Sequence, residues 1–201
     1  VLITSDKCYE NVEWLWGYRE NDRLGGKDPY SASKACAELI SKAYMESFFK
    51  EKGPNIATAR AGNVIGGGDW AFDRIIPDCI RAWSEKKSAA IRNPKATRPW
   101  QHVLEPLSGY LTLGQKLYSE NSVCKNQSFN FGPQAKVNQS VGDLITEIAQ
   151  YWEEAEWQFQ QGSDPSKTES TFLKLNCDKA FQILRWSAVL DFQETVRMTG
   201  N

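Results

Sequence analysis

VLITSDK, residues 1–7, decides how the chain folds once it is set beside DPYSASKACAEL, residues 28–39. Val1-Leu2-Ile3-Thr4 has the unbroken apolar character of a strand buried on both faces of a parallel sheet. It delivers a hydroxyl, a carboxylate and an amine in consecutive positions, Ser5, Asp6 and Lys7. Residues 5–29 are polar, aromatic and glycine-containing, and they end in Asp28-Pro29, a helix-start signal. From there Ala35, Leu39, Ile40, Ala43, Tyr44 and Phe48 recur at helical spacing, predicting a long amphipathic helix that stops near Gly53-Pro54.

The alternation continues outward. NIATAR (55–60) reads as a strand and AGNVIGGGDW (61–70) as a loop. FDRIIPDCIRAWSEKK (72–87) reads as a helix broken near Pro77, and Ala89 to Arg92 as a short strand. NPKATRPW (93–100) is a loop, QHV (101–103) a strand and residues 104–120 a helix with Pro106 in its first turn. QSFNFG (127–132) is a strand, and residues 140–154 form a helix capped by Ser140. EWQFQ and TFLKLN supply the remaining strand-like runs, and a last helix spans Lys179 to Leu184. Residues 66–70 and 161–169 read as linker-like loops. Strands alternating with helices predict an α/β fold with a mostly parallel sheet.

Composition narrows the function classes. A net charge of −1 with scattered Lys and Arg gives no basic field for nucleic acid or an anionic membrane. No apolar run reaches the roughly 18 residues of a membrane span, and no secretory leader is visible. The five cysteines, Cys8, Cys36, Cys79, Cys124 and Cys177, form no C-x-x-C pair. That spacing suggests neither a disulfide framework nor a metal site, and it points to a reduced, cytoplasmic setting.

Tyr30 and Lys34 carry the first chemical signal. Four residues on a helix is about one turn, so phenol and ammonium share a face. A phenol titrates near pH 10 in isolation, and an adjacent ammonium favours the phenolate. The pattern alone is weak, because a packed tyrosine beside a solvated lysine is the commoner case. Its context is stronger: a strand ending in Ser5, then a loop, then the pair on a helix, with open α/β sheets placing their sites at strand ends. A hydroxyl, a phenol and an ammonium so arranged suit proton removal from a carbinol as a hydride leaves for a nicotinamide ring.

These residues, with ARAGNVIGGGDWAFDRIIPD, RPWQHVLEPLSGYL and NFGP further on, resemble the extended short-chain dehydrogenase/reductase family. Within it they resemble the nucleotide-sugar 4,6-dehydratases, of the type that acts on CDP-glucose in bacterial deoxysugar pathways. The resemblance covers nearly the whole chain and is strongest over residues 1–145. It implies the C-terminal part of a Rossmann-like parallel sheet with a smaller α/β substrate-binding domain. Residues 1–65 and 101–132 would belong to the NAD-binding part, and 66–100 with 133–201 to the substrate-binding part. The implied catalytic residues are Ser5, Asp6, Lys7, Tyr30 and Lys34, with Tyr30 and Lys34 also on the cofactor, NAD. Asp-Lys after the strand-end hydroxyl distinguishes this type from relatives with Asp-Glu there. Asp6 would protonate the departing C6 hydroxyl, which requires a raised pKa. Lys7 would be either the C5 base or the group that stabilises the enolate.

For the substrate, the resemblance implies phosphate contacts from Asn63 and Arg98 and a place near the base for Arg92. The glycines of GGGDW read as a tight turn, since G-x-G-x-x-G is absent from these 201 residues. His102, the only histidine, reads as structural. Trp14, Trp16 and Tyr18 either cover the site or cap a core. A homodimer through the Tyr30 helix is implied, as is a glycine-rich half-sheet upstream of Val1. Thr168-Glu169 stands where a His-Glu pair is expected. Two other readings remain: an epimerase or reductase of the same fold, and a nucleotide-sugar-binding module without redox chemistry.

Overall fold

Strands and helices alternate along the computed structural model, which describes residues 1–119, 122–160 and 172–201. In order these are β1 (Leu2–Ile3), a 3₁₀ turn (Asp6–Cys8), α1 (Pro29–Ser47), β2 (Ala57–Ala61), β3 (Val64–Ile65) and α2 (Ile75–Ser84). Then come β4 (Ala89–Ile91), β5 (Thr97–Arg98), β6 (Gln101–His102), α3 (Leu104–Leu117) and β7 (Gln127–Phe131). The chain finishes with β8 (Gln139–Ser140), α4 (Val141–Ala149), β9 (Trp157–Phe159), a π turn (Ala180–Leu184) and α5 (Phe192–Gly200). The linker expected over residues 161–169, the Thr168-Glu169 pair, and the ends of two predicted elements at Glu120 and Thr171 lie outside the described residues.

β1, β2 and β7 form one parallel sheet with β2 in the middle. The sequence of β2, Ala-Thr-Ala-Arg-Ala, explains its two faces. Side chains alternate along a strand, so Ala57, Ala59 and Ala61 share one face while Thr58 and Arg60 share the other. The alanine face packs with Leu113, Leu117, Phe129, Phe131 and Trp186 in an apolar cluster under α3. α3 approaches so closely that a Cβ on Gly109 would overlap the Phe131 ring. The opposite face is polar and meets α1. There Arg60 Nη2 lies 2.7 Å from Glu38 Oε2, with both side chains almost wholly buried. Thr4, Thr58 and Ser128 also donate to the Glu38 carboxylate.

A second apolar cluster joins α2, α4 and α5 to the strand pairs β4–β9 and β5–β8, with Trp83, Trp100, Leu144, Ile145 and Val196 at its centre. The parallel pair β3–β6 runs between this layer and the sheet. Ser140 caps α4 as expected, accepting from Asp143 N at 3.0 Å while Asp143 reaches back to Ser140 N. Among the described residues no helix is long and apolar enough to cross a membrane.

Three expectations need correction. Pro77 does not break its helix: it falls in the first turn of α2, where its missing N–H has no acceptor to lose. α5 begins eight residues after Leu184, the predicted end of the last helix; its signal is Asp191-x-x-Glu194, a reciprocal capping box. The apolar stripe predicted to bury α1 is largely exposed: Leu39, Ile40, Tyr44 and Phe48 retain more than half their surface, and the buried face carries Ser31, Ala35, Glu38 and Met45. Val1, Leu2 and Ile3 lie exposed at the edge of the described sheet, where β1 pairs with β2 alone; an exposed edge is what the resemblance implies for these residues without the half-sheet upstream of Val1.

Candidate active site

Ser5 ends the first strand with extended backbone (φ −159°, ψ 157°) and caps the 3₁₀ turn that follows. Its Oγ accepts from Lys7 N at 3.2 Å and donates to Asp6 Oδ1 at 3.0 Å. The turn folds Asp6 inward until 2% of it is exposed. Asp6 fits because residue 62 is glycine: a Cβ there would overlap the Asp6 carboxyl group. Asn63 completes the seat, with Nδ2 3.4 Å from Asp6 Oδ2 and its backbone in the left-handed region at φ 53°. Asparagine tolerates that conformation better than most residues.

Burial pushes the Asp6 carboxyl above the usual carboxylate range, against the pull of Lys7, the Ser5 hydroxyl, the Lys7 amide and Arg98. Arg98, on β5, is buried and donates from Nη1 to Thr97 O at 2.8 Å, and its charge reaches Asp6. Lys7 is half-buried, and its charge acts on Asp28 as well as on Asp6. Asp28 caps α1: its carboxylate accepts from the Ser31 hydroxyl at 2.5 Å and from Ser31 N at 3.0 Å, which lowers its pKa. α1 therefore starts beside the turn that holds Asp6 and Lys7, and the two elements pack together.

Tyr30 stands in the first turn of α1, 54% exposed. The Lys34 ammonium lies 5.6 Å from the centre of its ring, so the pair shares a face as its spacing predicts. The structure thus gathers Ser5, Asp6, Lys7, Asn63 and Arg98, with Tyr30 and Lys34 on the helix that packs against them. Arg92 sits elsewhere, half-buried just past β4 in the second layer. His102 is buried, its Nδ1 accepts from Leu104 N at 3.3 Å, and burial lowers its pKa, all consistent with a structural role. Gly68, at φ 84°, turns the GGGDW loop; its Trp70 is exposed, as is Phe72 just after it. Trp14 and Tyr18 pack into a small core with Cys8, Tyr9 and Leu175, whereas Trp16 lines a cleft of about 390 Å³ between residues 15–17, 132–135 and 174–188. None of the gathered site residues lines that cleft.

Beneath the site lies a buried polar network that the sequence reading did not single out. Arg60 donates to Glu38, to Tyr9 Oη at 2.8 Å and to Glu20 O at 3.0 Å, and Tyr9 Oη donates to Asn130 Oδ1 at 2.7 Å. Although burial pushes the Glu38 carboxyl up, the Arg60 bond and charge and the threonine hydroxyls hold it below its ordinary value. The available signal was an arginine inside a strand of otherwise small residues, Ala-Thr-Ala-Arg-Ala, with a carboxylate on the preceding helix. Gly62 and Gln101 were also missed, since a glycine and a glutamine in short loops carry no periodicity.

The chain matches the family described as GDP-mannose 4,6 dehydratase over residues 1–199. It belongs to that family. Membership agrees with the resemblance read from the strand-end and helix motifs. Among relatives of the GDP-mannose 4,6 dehydratase family, the CDP-glucose 4,6-dehydratase of Salmonella typhimurium is 46% identical over 98% of this chain and 55% of its own length. The chain therefore spans about half the length of that curated relative. A Bacillus anthracis dTDP-glucose 4,6-dehydratase solved with NAD superposes with a TM-score of 0.80 at 18% identity, over 98% of this chain and 59% of that one. An epimerase from Methanothermobacter thermautotrophicus gives 0.83 at 19% identity, over 98% of this chain and 56% of that one. At such identities these structures establish the shared α/β fold.

Proposed function

We propose that the protein dehydrates CDP-glucose to CDP-4-dehydro-6-deoxy-glucose, with NAD as its cofactor. The observation that carries this reading is the Asp6 carboxyl, whose burial raises its pKa, seated between Ser5 and Asn63 beside Lys7. An acid poised there suits the loss of a hydroxyl group, a step that epimerisation does not need. The Asp6-Lys7 pair and the 46% identical CDP-glucose 4,6-dehydratase support the same substrate.

Tyr30 and Lys34 fit NAD at its ribose and nicotinamide: they share an open helix face at the sheet's strand-end side, phenol and ammonium together. Bound NAD supplies the two-electron oxidation at C4 and the matching reduction at C6. Tyr30 takes the proton of the C4 hydroxyl, and Ser5 orients that hydroxyl. Lys34, on the same face, holds the ribose. The C4 ketone acidifies C5; a base at or near Lys7 takes the C5 proton and gives a proton back to C5 as C6 is reduced, with Lys7 itself either that base or the group that stabilises the enolate. Asp6 gives its proton to the C6 oxygen, which leaves as water. Asn63 and Arg98 hold the diphosphate, and Arg92 lies toward the base. This assigns residues 1–65 and 101–132 to the cofactor side and 66–100 and 133–201 to the substrate side; the α2–α4–α5 cluster follows that division apart from Ile65, whereas Ala180, Leu184, Trp186 and Ala188 pack into the cofactor-side cluster with Ala57, Phe129 and Phe131.

The exposed Leu39, Ile40, Tyr44 and Phe48 stripe on α1 supports pairing with a second copy. Five free thiols support a reduced, cytoplasmic setting, and product of this kind supports a place in bacterial deoxysugar synthesis for surface polysaccharide. The test is incubation with CDP-glucose and NAD, following the alkali-induced absorbance of a 4-keto-6-deoxy sugar. Product is expected, and Asp6→Asn is expected to abolish it while NAD reduction continues. A C4 epimer without loss of water, or product from Asp6→Asn at the native rate, overturns the reading.

A further inference from the structure

Gln101 is 1% exposed and reaches into the point where the central sheet opens. The β2–β7 ladder ends at the pair Ala61 and Phe131, and beyond it the two strands part. The Gln101 side-chain amide spans the fork. Its Nε2 donates to Gly62 O at 3.1 Å and to Phe131 O at 3.0 Å. Its backbone N donates to Asn63 O at 3.1 Å. One residue therefore fixes the carbonyls of both Gly62 and Asn63, the two residues on which the Asp6 carboxyl rests.

The chemistry of that seat admits few side chains. Two converging carbonyls call for a group with two N–H donors, which a carboxamide supplies and a carboxylate or hydroxyl does not. The cost is visible: Gln101 Oε1 is buried and has no hydrogen-bond partner among the described residues. A left-handed Asn63 and a glycine that must stay open to Asp6 would otherwise be free to relax.

We propose that Gln101 is a positioning residue for Asp6: by clamping the Gly62–Asn63 turn it holds the carboxyl group in line with the leaving C6 oxygen. The inference rests on the dehydratase reading for its kinetic consequence and on the geometry alone for its structural one. Gln101 carries no charge, and the ionisable groups that act on Asp6, namely Lys7 and Arg98 together with Tyr110 and Cys8 beside it, are not its hydrogen-bond partners. A change at Gln101 must therefore reach Asp6 through the turn.

The test is Gln101→Met in the full-length protein, a swap of similar volume without the donors. A misplacement of about 1 Å at a reacting group costs roughly 100-fold in rate. In a single turnover with CDP-glucose and NAD, water loss should slow about 100-fold. Reduction of NAD, which depends on Tyr30 and Lys34 on α1, should stay within about threefold. The near-ultraviolet absorbance of reduced nicotinamide should then persist instead of decaying. Equal slowing of both steps, or of neither, overturns the proposal, because a residue that merely supports the fold gives no such split. A second readout does not need turnover: with ¹³C-labelled aspartate, the raised Asp6 titration should move back toward the ordinary carboxylate range in Gln101→Met. An unmoved Asp6 overturns the proposal even if CDP-glucose is not the substrate, whereas a native protein that never reduces NAD with CDP-glucose overturns only the functional reading.

Discussion

Arg60→Met isolates the buried ion pair beneath the site. Methionine replaces the apolar stem of arginine and removes the guanidinium and its charge, leaving Glu38 almost wholly buried among the hydroxyls of Thr4, Thr58 and Ser128. Breaking one partner of a buried pair costs about 3–5 kcal/mol. Here the cost has a ceiling, because the stranded carboxylate can take up a proton instead. Glu38 ionises near pH 4.3 in an unfolded chain, and each pH unit is worth about 1.4 kcal/mol. Neutralising it costs about 4 kcal/mol at pH 7 and about 1 kcal/mol at pH 5. The signs of the two proteins differ. Native Glu38 has a lowered pKa, so its contribution is present above the unfolded value and is lost as the solution is acidified. In Arg60→Met the folded pKa is raised, so stability falls as pH climbs above the unfolded value.

Urea unfolding at pH 5 and pH 7 measures both limits. The destabilisation should grow by about 3 kcal/mol between the two, and Glu38→Gln added to Arg60→Met should remove most of that pH dependence. A loss equal at both pH values refutes the reasoning: it would mean that Arg60 acts through packing against the Tyr9 ring, 5.0 Å from its guanidinium, and not through charge.

Asp6→Asn should stabilise the protein near neutral pH, because the native carboxyl with its raised pKa loses stability as pH climbs from about 3.9 through the folded value. Thermal unfolding from pH 4 to pH 8 should show the gap opening and then levelling. Gly62→Ala places a Cβ against the Asp6 carboxyl and should cost about 1–3 kcal/mol, with loss of water elimination before loss of NAD reduction. Ser140→Ala and Asp191→Ala each delete one half of a reciprocal cap and should cost about 1 kcal/mol by urea unfolding.

The legible parts of the chain were those whose signals are local. The α1 start was written in Asp28-Pro29, the Tyr30–Lys34 face in a spacing of four, and the α4 cap in Ser140-x-x-Asp143. Of the two-residue strands, β6 was read in QHV, but β3, β5 and β8 were not legible: their existence depends on partners 37 to 43 positions away, not on any periodicity of their own. The α1 stripe misled because helical spacing reports which residues could share an apolar face, while burial depends on what lies against it. Against the sheet, α1 meets Thr58 and Arg60, and so its inner face is polar.

That same inversion explains why candidate residues could be proposed from sequence but their arrangement could not be built from it. Asp6, Tyr30 and Lys34 announce themselves by type and order. The residues that give them a position are Gly62, which is needed for an absent side chain; Gln101, which bonds only to backbone; and the Glu38–Arg60 pair, whose members look like surface charges when read one at a time. A strand that places an arginine between alanines has to bring a buried carboxylate to it, since an unpaired guanidinium is too costly to enclose. Glu38 supplies it from the helix that also carries Tyr30 and Lys34, and Thr4, the residue before Ser5, donates to the same carboxylate. The ion pair thus joins the strand-end hydroxyl to the phenol helix, and the register between the two reactive segments is set by a charge pair rather than by apolar packing.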